Sequence, residues 1–213
     1  MNKYFLSLAI LLLLNFCNNS EVGDVIKLPE PQREGGMPLY EALNNRKSSR
    51  DFDDSTKVPI ELLSQALWCC YGIREGVFRT VPAAKAWYPL LPYVFMEDGV
   101  FLYNPESHEL TKLFEGDHRD ITGTQTSVVT KAGVNIVFIG DLEAEGRIDT
   151  NKNMRKLAVY YGIGHVTMAL SLFASANEMK GVVRGNINSA RLLEFLGLNQ
   201  EQYMFALAFS LGY

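Results

Sequence analysis

The stretch from Lys152 to about Met179 limits the folds open to this chain more than any other. Leu157, Ala158, Tyr161, His165, Met168, Ala169, Leu172, Phe173 and Ala176 recur there at helical spacing. At ~1.5 Å per residue, such a helix is long enough to run through a whole domain. It is apolar on most of its circumference from Leu157 to Ala176, and a helix of that kind must be surrounded. One domain covers part of it. The remaining stripe, with Trp68, Trp87 and the apolar run MFALAFSL near the end of the chain, points to a further surface that a twofold partner would bury. The expected assembly is therefore a homodimer.

The rest of the sequence alternates helices and strands around that element. Pro38 to Lys47 reads as a short helix with Leu39, Ala42 and Leu43 on one side. VPIELLSQALWCCYG opens with Pro59 in the first turn, keeps Ile60, Leu63, Leu67 and Cys70 at helical spacing, and stops at Gly72. Two apolar runs around Asp98-Gly99 predict a β-hairpin, with a second turn at Asn104-Pro105. Val134 to Ile139 predicts a short buried strand, Asn188 to Leu196 a capped helix stopped by Gly197, and Tyr203 to Leu211 a closing strand. With 213 residues, 47% of them hydrophobic, the chain can bury the core of one globular domain.

The N-terminus reads differently. MNKYFLSLAILLLLNFC has one Lys and then an apolar run from Tyr4 to Leu14, too short for a bilayer span but fitting a secretory signal. Because that run meets Cys17 and then Asn18, Asn19 and Ser20, it predicts a bacterial lipoprotein signal over residues 1–16, with Cys17 as the lipidated first residue, an uncleaved N-terminal anchor being the alternative. Residues 17–36, rich in Asn, Pro, Glu and Gly, are expected to be a tether, and 37–213 the folded domain. The expected location is the bacterial cell envelope, with the lipid as membrane anchor.

Charge and metal-binding patterns exclude several classes. The net charge is −4 with 20 Lys and Arg, and no basic block argues for nucleic acid. Cys69 and Cys70 are neighbours on one apolar helix, where packing suits them better than a disulfide or a metal. His108, His118 and His165 are far apart, and no zinc spacing is present. The pair His118 and Asp120 has no nucleophile motif beside it, so it does not argue for a hydrolase.

The segment NNRKSSRDFDD concentrates Arg46, Lys47 and Arg50 around Ser48 and Ser49 at a helix exit. Arg and Ser at alternating positions of an extended exit, Arg46, Ser48 and Arg50, can hold a phosphate by forked, charge-assisted hydrogen bonds. The other reading is a solvated basic turn neutralised by Asp51, Asp53 and Asp54. Gly162 and Gly164 inside the long helix each cost about 1 kcal/mol relative to Ala. They ask for close approach by a ligand or partner, or for a packing notch.

RKSSRDF, RTVPAAKAWYPL and GHVTMALSLFASA, in this order and spacing, resemble the FMN-dependent nitroreductase family from about residue 38 to 213, most closely its SagB-type dehydrogenase branch. The resemblance implies an α+β fold whose central sheet, mixed but mainly antiparallel, is flanked by helices around a long central one. It also implies FMN as cofactor, a small-molecule substrate and hydride transfer through flavin N5. By the same resemblance Arg46, Lys47, Ser48 and Arg50 contact the ribityl phosphate. Ala83 and Ala84 let backbone approach the flavin ring from a second protomer, and Gly164 lies under close approach. Lys85 stands where the family has Gly, and either stabilises charge on reduced flavin or points to solvent. Arg184 is either a substitute phosphate ligand or a surface residue. His165 is given no catalytic duty, and no catalytic residue is assigned. Met168-Ala169 replaces the family's Gln-Asn pair, and the chain ends at Gly212-Tyr213, short of the basic tail of many relatives. A flavin-free binding or scaffold lipoprotein is the alternative reading.

Overall fold

Val134–Asp141 (β7) forms the middle of the molecule, because its side chains are buried on both faces. Successive strand residues point to opposite sides. Val134, Ile136 and Phe138 enter one core and Val137 and Ile139 another. The computed structural model describes residues 23–146 and 151–213. The signal, with Cys17 as its lipidation site, lies outside the described residues.

Seven strands form the main sheet: Val25–Lys27 (β1), Leu90–Met96 (β4), Gly99–Asn104 (β5), Glu109–Glu115 (β6), β7, Lys180–Arg184 (β8) and Tyr203–Gly212 (β9). Their order is β1-β6-β5-β4-β7-β9-β8, and each pairing is antiparallel. Ile73–Glu75 (β2) and Phe78–Arg79 (β3) make a separate small hairpin. The predicted turn between the apolar runs closes one residue early, Met96 pairing with Gly99 across Glu97-Asp98. Helices Leu39–Asn45 (α1), Ile60–Tyr71 (α2), Thr126–Val129 (α3), Lys152–Ala176 (α4) and Ser189–Phe195 (α5) cover the sheet. As predicted, α5 begins at Asn188, whose side chain accepts from Arg191 N, and Gly197 follows it at a φ of 68°.

The long helix α4 forms but is not surrounded by the described residues. Val159, Ile163, Val166, Leu170 and Phe173 recur on one buried face against α2 and the sheet. Leu157, Tyr160, Tyr161 and Met168 on the other side are exposed, Tyr161 to 60%. Burial makes amphipathic a helix that is apolar nearly all round by composition. The open stripe is an exposed apolar surface among the described residues.

The expected tether is corrected from Val25 onward. Residues 25–27 pair as an edge strand with β6, and Leu28 is buried. Gln32 N donates to Gln65 Oε1 at 2.7 Å, and Gln65 Nε2 returns a bond to Gln32 O at 2.9 Å. A Pro- and Glu-rich composition masked three residues of β pairing, too short a run to show alternation.

A buried hydrogen-bond chain holds this segment down. His108 Nδ1 lies 2.9 Å from Tyr103 Oη, its Nε2 lies 2.7 Å from Ser64 Oγ, and Ser64 Oγ donates to Pro29 O at 2.5 Å. The arrangement selects neutral imidazole: Tyr103 donates to Nδ1, Nε2–H donates to Ser64, and Ser64 donates to the Pro29 carbonyl. Burial holds the His108 pKa below its ordinary value of about 6.5. The folded state therefore binds fewer protons at this site than the unfolded chain. The stability it contributes is complete above about pH 6.5 and is lost as pH falls toward the folded pKa. Expected, then, is a thermal unfolding temperature that declines below pH 6.5 in the wild type. His108→Gln should flatten the profile there, and an unchanged slope in that variant would remove His108 as the cause.

Candidate functional site

The basic segment leaves α1 as an extended exit, with Arg46 at φ −60°, ψ 122°. It then runs beside the edge strand β8, where Ser49 N donates to Gly181 O at 3.0 Å. Phe52 is buried with Ala132 and Val182, and Asp53 N donates to Tyr213 O at 2.6 Å. The backbone is thus pinned at Ser49 and Asp53, and Arg46, Lys47, Ser48 and Arg50 between or beside the pins are exposed. Among the described residues none of the three cations makes an ion pair. Of the three carboxylates expected to neutralise them, Asp51, Asp53 and Asp54, none pairs with these cations among the described residues, and Asp53 is held by Ser55 N and Oγ and by Thr56, hydrogen bonds that lower its pKa. The self-neutralised turn is therefore not what the structure shows.

The RTVPAAKAWYPL segment is pinned on both sides of its tip. His165 Nδ1 donates to Pro82 O at 3.1 Å, tying the near end to α4. Trp87 is buried at the far end, and its indole N–H donates to Ala144 O at 3.0 Å. Between them Lys85 and Ala86 have φ of 52° and 54°, left-handed values that non-glycine residues rarely adopt. Ala84 and Lys85 are exposed and Ala83 half-buried. The cavity beneath the tip, lined by Tyr71, Val81, Trp87, Tyr88 and Gly162, measures about 10 Å³, room for one water and not for a ring system. The outer face, where Ala84 and Lys85 are exposed, is the side of the tip with room.

That face is open at Gly164. A Cβ built there meets nothing within 4 Å, and one at Gly162 meets only Leu90 Cδ1 at 4.0 Å. Among the described residues, packing therefore leaves room for a Cβ at either glycine. The basic exit and the Pro82–Ala86 tip both attach to α4: Ser175 Oγ donates to Ala42 O near one end, and His165 holds the tip further along. Ten residues separate those attachments, roughly 15 Å along the helix. Among the described residues the tip and α1, the helix that leads into the basic exit, thus attach to one helix without forming one closed pocket.

Arg184 is corrected. Its guanidinium is buried and fully engaged internally: Nε donates to Ser210 Oγ, Nη1 to Thr122 O, and Nη2 to Asn135 Oδ1. Burial lowers its pKa to about 10. It ties β8 to β7 and β9 and presents no donor to a ligand. The adjacent Gly185 and Asn186 gave the impression of a loop residue.

Other chemistry is excluded by the same kind of geometry. Burial raises the thiol pKa of Cys70 strongly and of Cys69 less, so both are packed neutral thiols. His118 Nε2 lies 2.9 Å from Glu115 O and Asp120 faces Arg191, so no His118–Asp120 relay exists. Ser64 and His108 stand at a nucleophile-to-base distance, yet Ser64 is 1% exposed and its proton goes to Pro29 O. No group of metal-ligating side chains occurs among the described residues. Sequence reading missed Arg79, stacked on Tyr71 and Tyr88 at 5.0 and 5.3 Å and paired with Glu106 at 2.7 Å. It braces the base of the tip, and no local pattern announces a stack assembled from three elements.

The Nitroreductase family model matches residues 43–213, which include both the basic exit and the tip. The chain belongs to the nitroreductase family. Members are FMN-dependent oxidoreductases. A crystal structure of a provisionally named nitroreductase from Ralstonia eutropha JMP134 is 31% identical and superposes with a TM-score of 0.79, covering 88% of each chain. A provisionally named nitroreductase of Methanocaldococcus jannaschii is 26% identical over 189 residues, 84% of this chain and 93% of that one. A Desulfovibrio desulfuricans relative solved in complex with FMN is 21% identical with a TM-score of 0.61, covering 84% of this chain and 87% of its own, a likeness of fold. This nitroreductase-family chain therefore places its unpaired cations and its open glycine on a fold whose members are flavoproteins.

Proposed function

We propose that the protein is an envelope-anchored FMN-dependent oxidoreductase acting on a small organic molecule, with the flavin held on the open face of α4 between two copies of the chain. The observation that carries this reading is the set Arg46, Lys47 and Arg50, without an ion pair among the described residues, in an extended exit from α1, a helix that Ser175 ties to the same α4 that opens at Gly164. FMN, when bound, supplies hydride exchange at N5, so the protein's task is to bind, orient and exclude water. Arg46, Ser48 and Arg50 would hold the phosphate and ribityl chain, with Lys47 as a further cation. Ala83 and Ala84 are small enough for the tip's backbone to approach the ring, and Gly164 leaves the room it needs. Exposed Leu39, Tyr40, Tyr161 and Met168 give the second copy an apolar surface to cover. The D. desulfuricans relative's FMN supports the same cofactor here. The test is uptake: protein mixed with FMN and desalted should retain the yellow chromophore, and colourless protein would favour the flavin-free scaffold.

The envelope reading rests on the signal-like run ending at Cys17. Cys17→Ser should move the protein from the membrane to the soluble fraction, since the polar residues after it offer no alternative anchor. Intact mass of the membrane-bound form checks it, and an unmodified Cys17 in mature protein would contradict it.

A further inference from the structure

In a chain of net charge −4, the face formed by α4 and the Pro82–Ala86 tip has no acidic residue of its own. Helix α4, Lys152–Ala176, contains Lys152, Arg155, Lys156 and His165 but no Asp or Glu, and neither does the segment from Val81 to Tyr88. At the summit of the tip stands Lys85. It is exposed, and among the described residues no carboxylate lies within ion-pair distance of it. Its backbone is left-handed at φ 52°, ψ 29°, and Ala86 after it is left-handed at φ 54°. Glycine would occupy such a turn without strain, so a long cation there asks for a reason in the site it overlooks. The turn is also fixed: Ala86 N donates to Ala83 O at 3.2 Å, Trp87 N donates to Ala84 O at 2.9 Å, and His165 and Trp87 hold the two ends. A cation on a fixed, left-handed turn beside a helix that carries no acidic residue is placed to favour anions.

We propose that Lys85 is the substrate-selecting residue of this site and that the substrates are small organic anions, carboxylates above all, whose charge the ammonium pairs while the apolar remainder lies along the tip. This rests on the flavin reading above. The Arg46–Arg50 cations serve the cofactor's phosphate, which leaves Lys85 as the unpaired cation of the tip. A neutral molecule of the same shape would gain the apolar contact alone. Discrimination between the two is then a property of one side chain, and it should weaken with ionic strength.

The experiment uses FMN-loaded full-length protein in detergent, with flavin content measured first from its visible absorbance. Benzoate and its neutral analogue benzamide are then titrated separately, and the perturbation of the flavin spectrum gives each dissociation constant. Wild type should bind benzoate roughly tenfold or more tightly than benzamide, the strength of one charge-assisted contact. Lys85→Met and Lys85→Gly should load FMN as wild type does and bring the two ligands within twofold, while Lys85→Arg keeps the preference. Added salt should weaken benzoate and leave benzamide unchanged. Loaded wild type that binds benzoate no better than benzamide overturns the proposal. So does a preference that survives in both Lys85→Met and Lys85→Gly. Protein that takes up no flavin overturns the underlying reading, and the inference with it, at the first step, before either ligand is added.

Discussion

Changing Arg46 and Arg50 together to alanine should weaken FMN binding by about 3–6 kcal/mol, two losses of about 1.5–3 kcal/mol each for hydrogen bonds to a charged group. Flavin-free protein should barely notice. Both side chains are exposed and neither makes an ion pair among the described residues, so the unfolding temperature should stay within about 2 °C of wild type. That contrast separates a ligand role from a structural one. Each single variant should show about half the effect, and Lys47→Ala less than either. Fluorescence quenching of FMN gives the affinities. Affinities within twofold of wild type for both single variants would remove the segment from the flavin site.

Gly164→Leu should act with opposite signs on stability and on binding. A Cβ at Gly164 meets nothing within 4 Å among the described residues, so the first atom of a side chain enters there without a clash. Replacing helical glycine by leucine should therefore stabilise flavin-free monomer by about 0.8 kcal/mol, a rise of roughly 2–3 °C in unfolding temperature. The same isobutyl group would fill the space assigned to the flavin and the second copy. FMN affinity should fall at least about a hundredfold, the scale of overpacking a close-fitting contact. If the variant gains stability and binds FMN as well as wild type does, the face at Gly164 is not where the flavin lies.

Periodicity carried the fold a long way. The spacing of Leu63, Leu67 and Cys70 gave α2 to within a residue, the apolar run from Val134 to Ile139, interrupted by Asn135, gave most of β7, and Asn188 with Gly197 bracketed α5. These elements are legible because each one's burial is written into its own sequence. Two features were not. Whether α4 is enclosed depends on what packs beside it, and a composition apolar nearly all round is the same for a central helix and for one with an open face. The docking of residues 25–33 depends on His108, Tyr103, Ser64 and Gln65, partners drawn from elsewhere in the chain.

The site was legible in a similar proportion. RKSSR and VPAAK announce unusual local demands, three cations in five residues and a proline-led run of small residues, and both are exposed and pinned at their ends. Arg184 was misread because a single Arg before Gly-Asn looks the same whether it is exposed or locked on Thr122, Asn135 and Ser210. Its three partners lie 26 to 62 residues away in sequence, beyond any local pattern.

Sedimentation equilibrium of protein lacking residues 1–22, recorded at the flavin's visible absorbance over a dilution series, bears most directly on the claim that two copies hold FMN on the open face of α4. All bound flavin should sediment at the mass of a dimer. Added FMN should shift the monomer–dimer equilibrium toward the dimer, because a ligand that binds only the assembled form stabilises it by mass action. Stoichiometric FMN sedimenting with a monomer at high dilution would show that the pocket is complete in one chain and contradict the account.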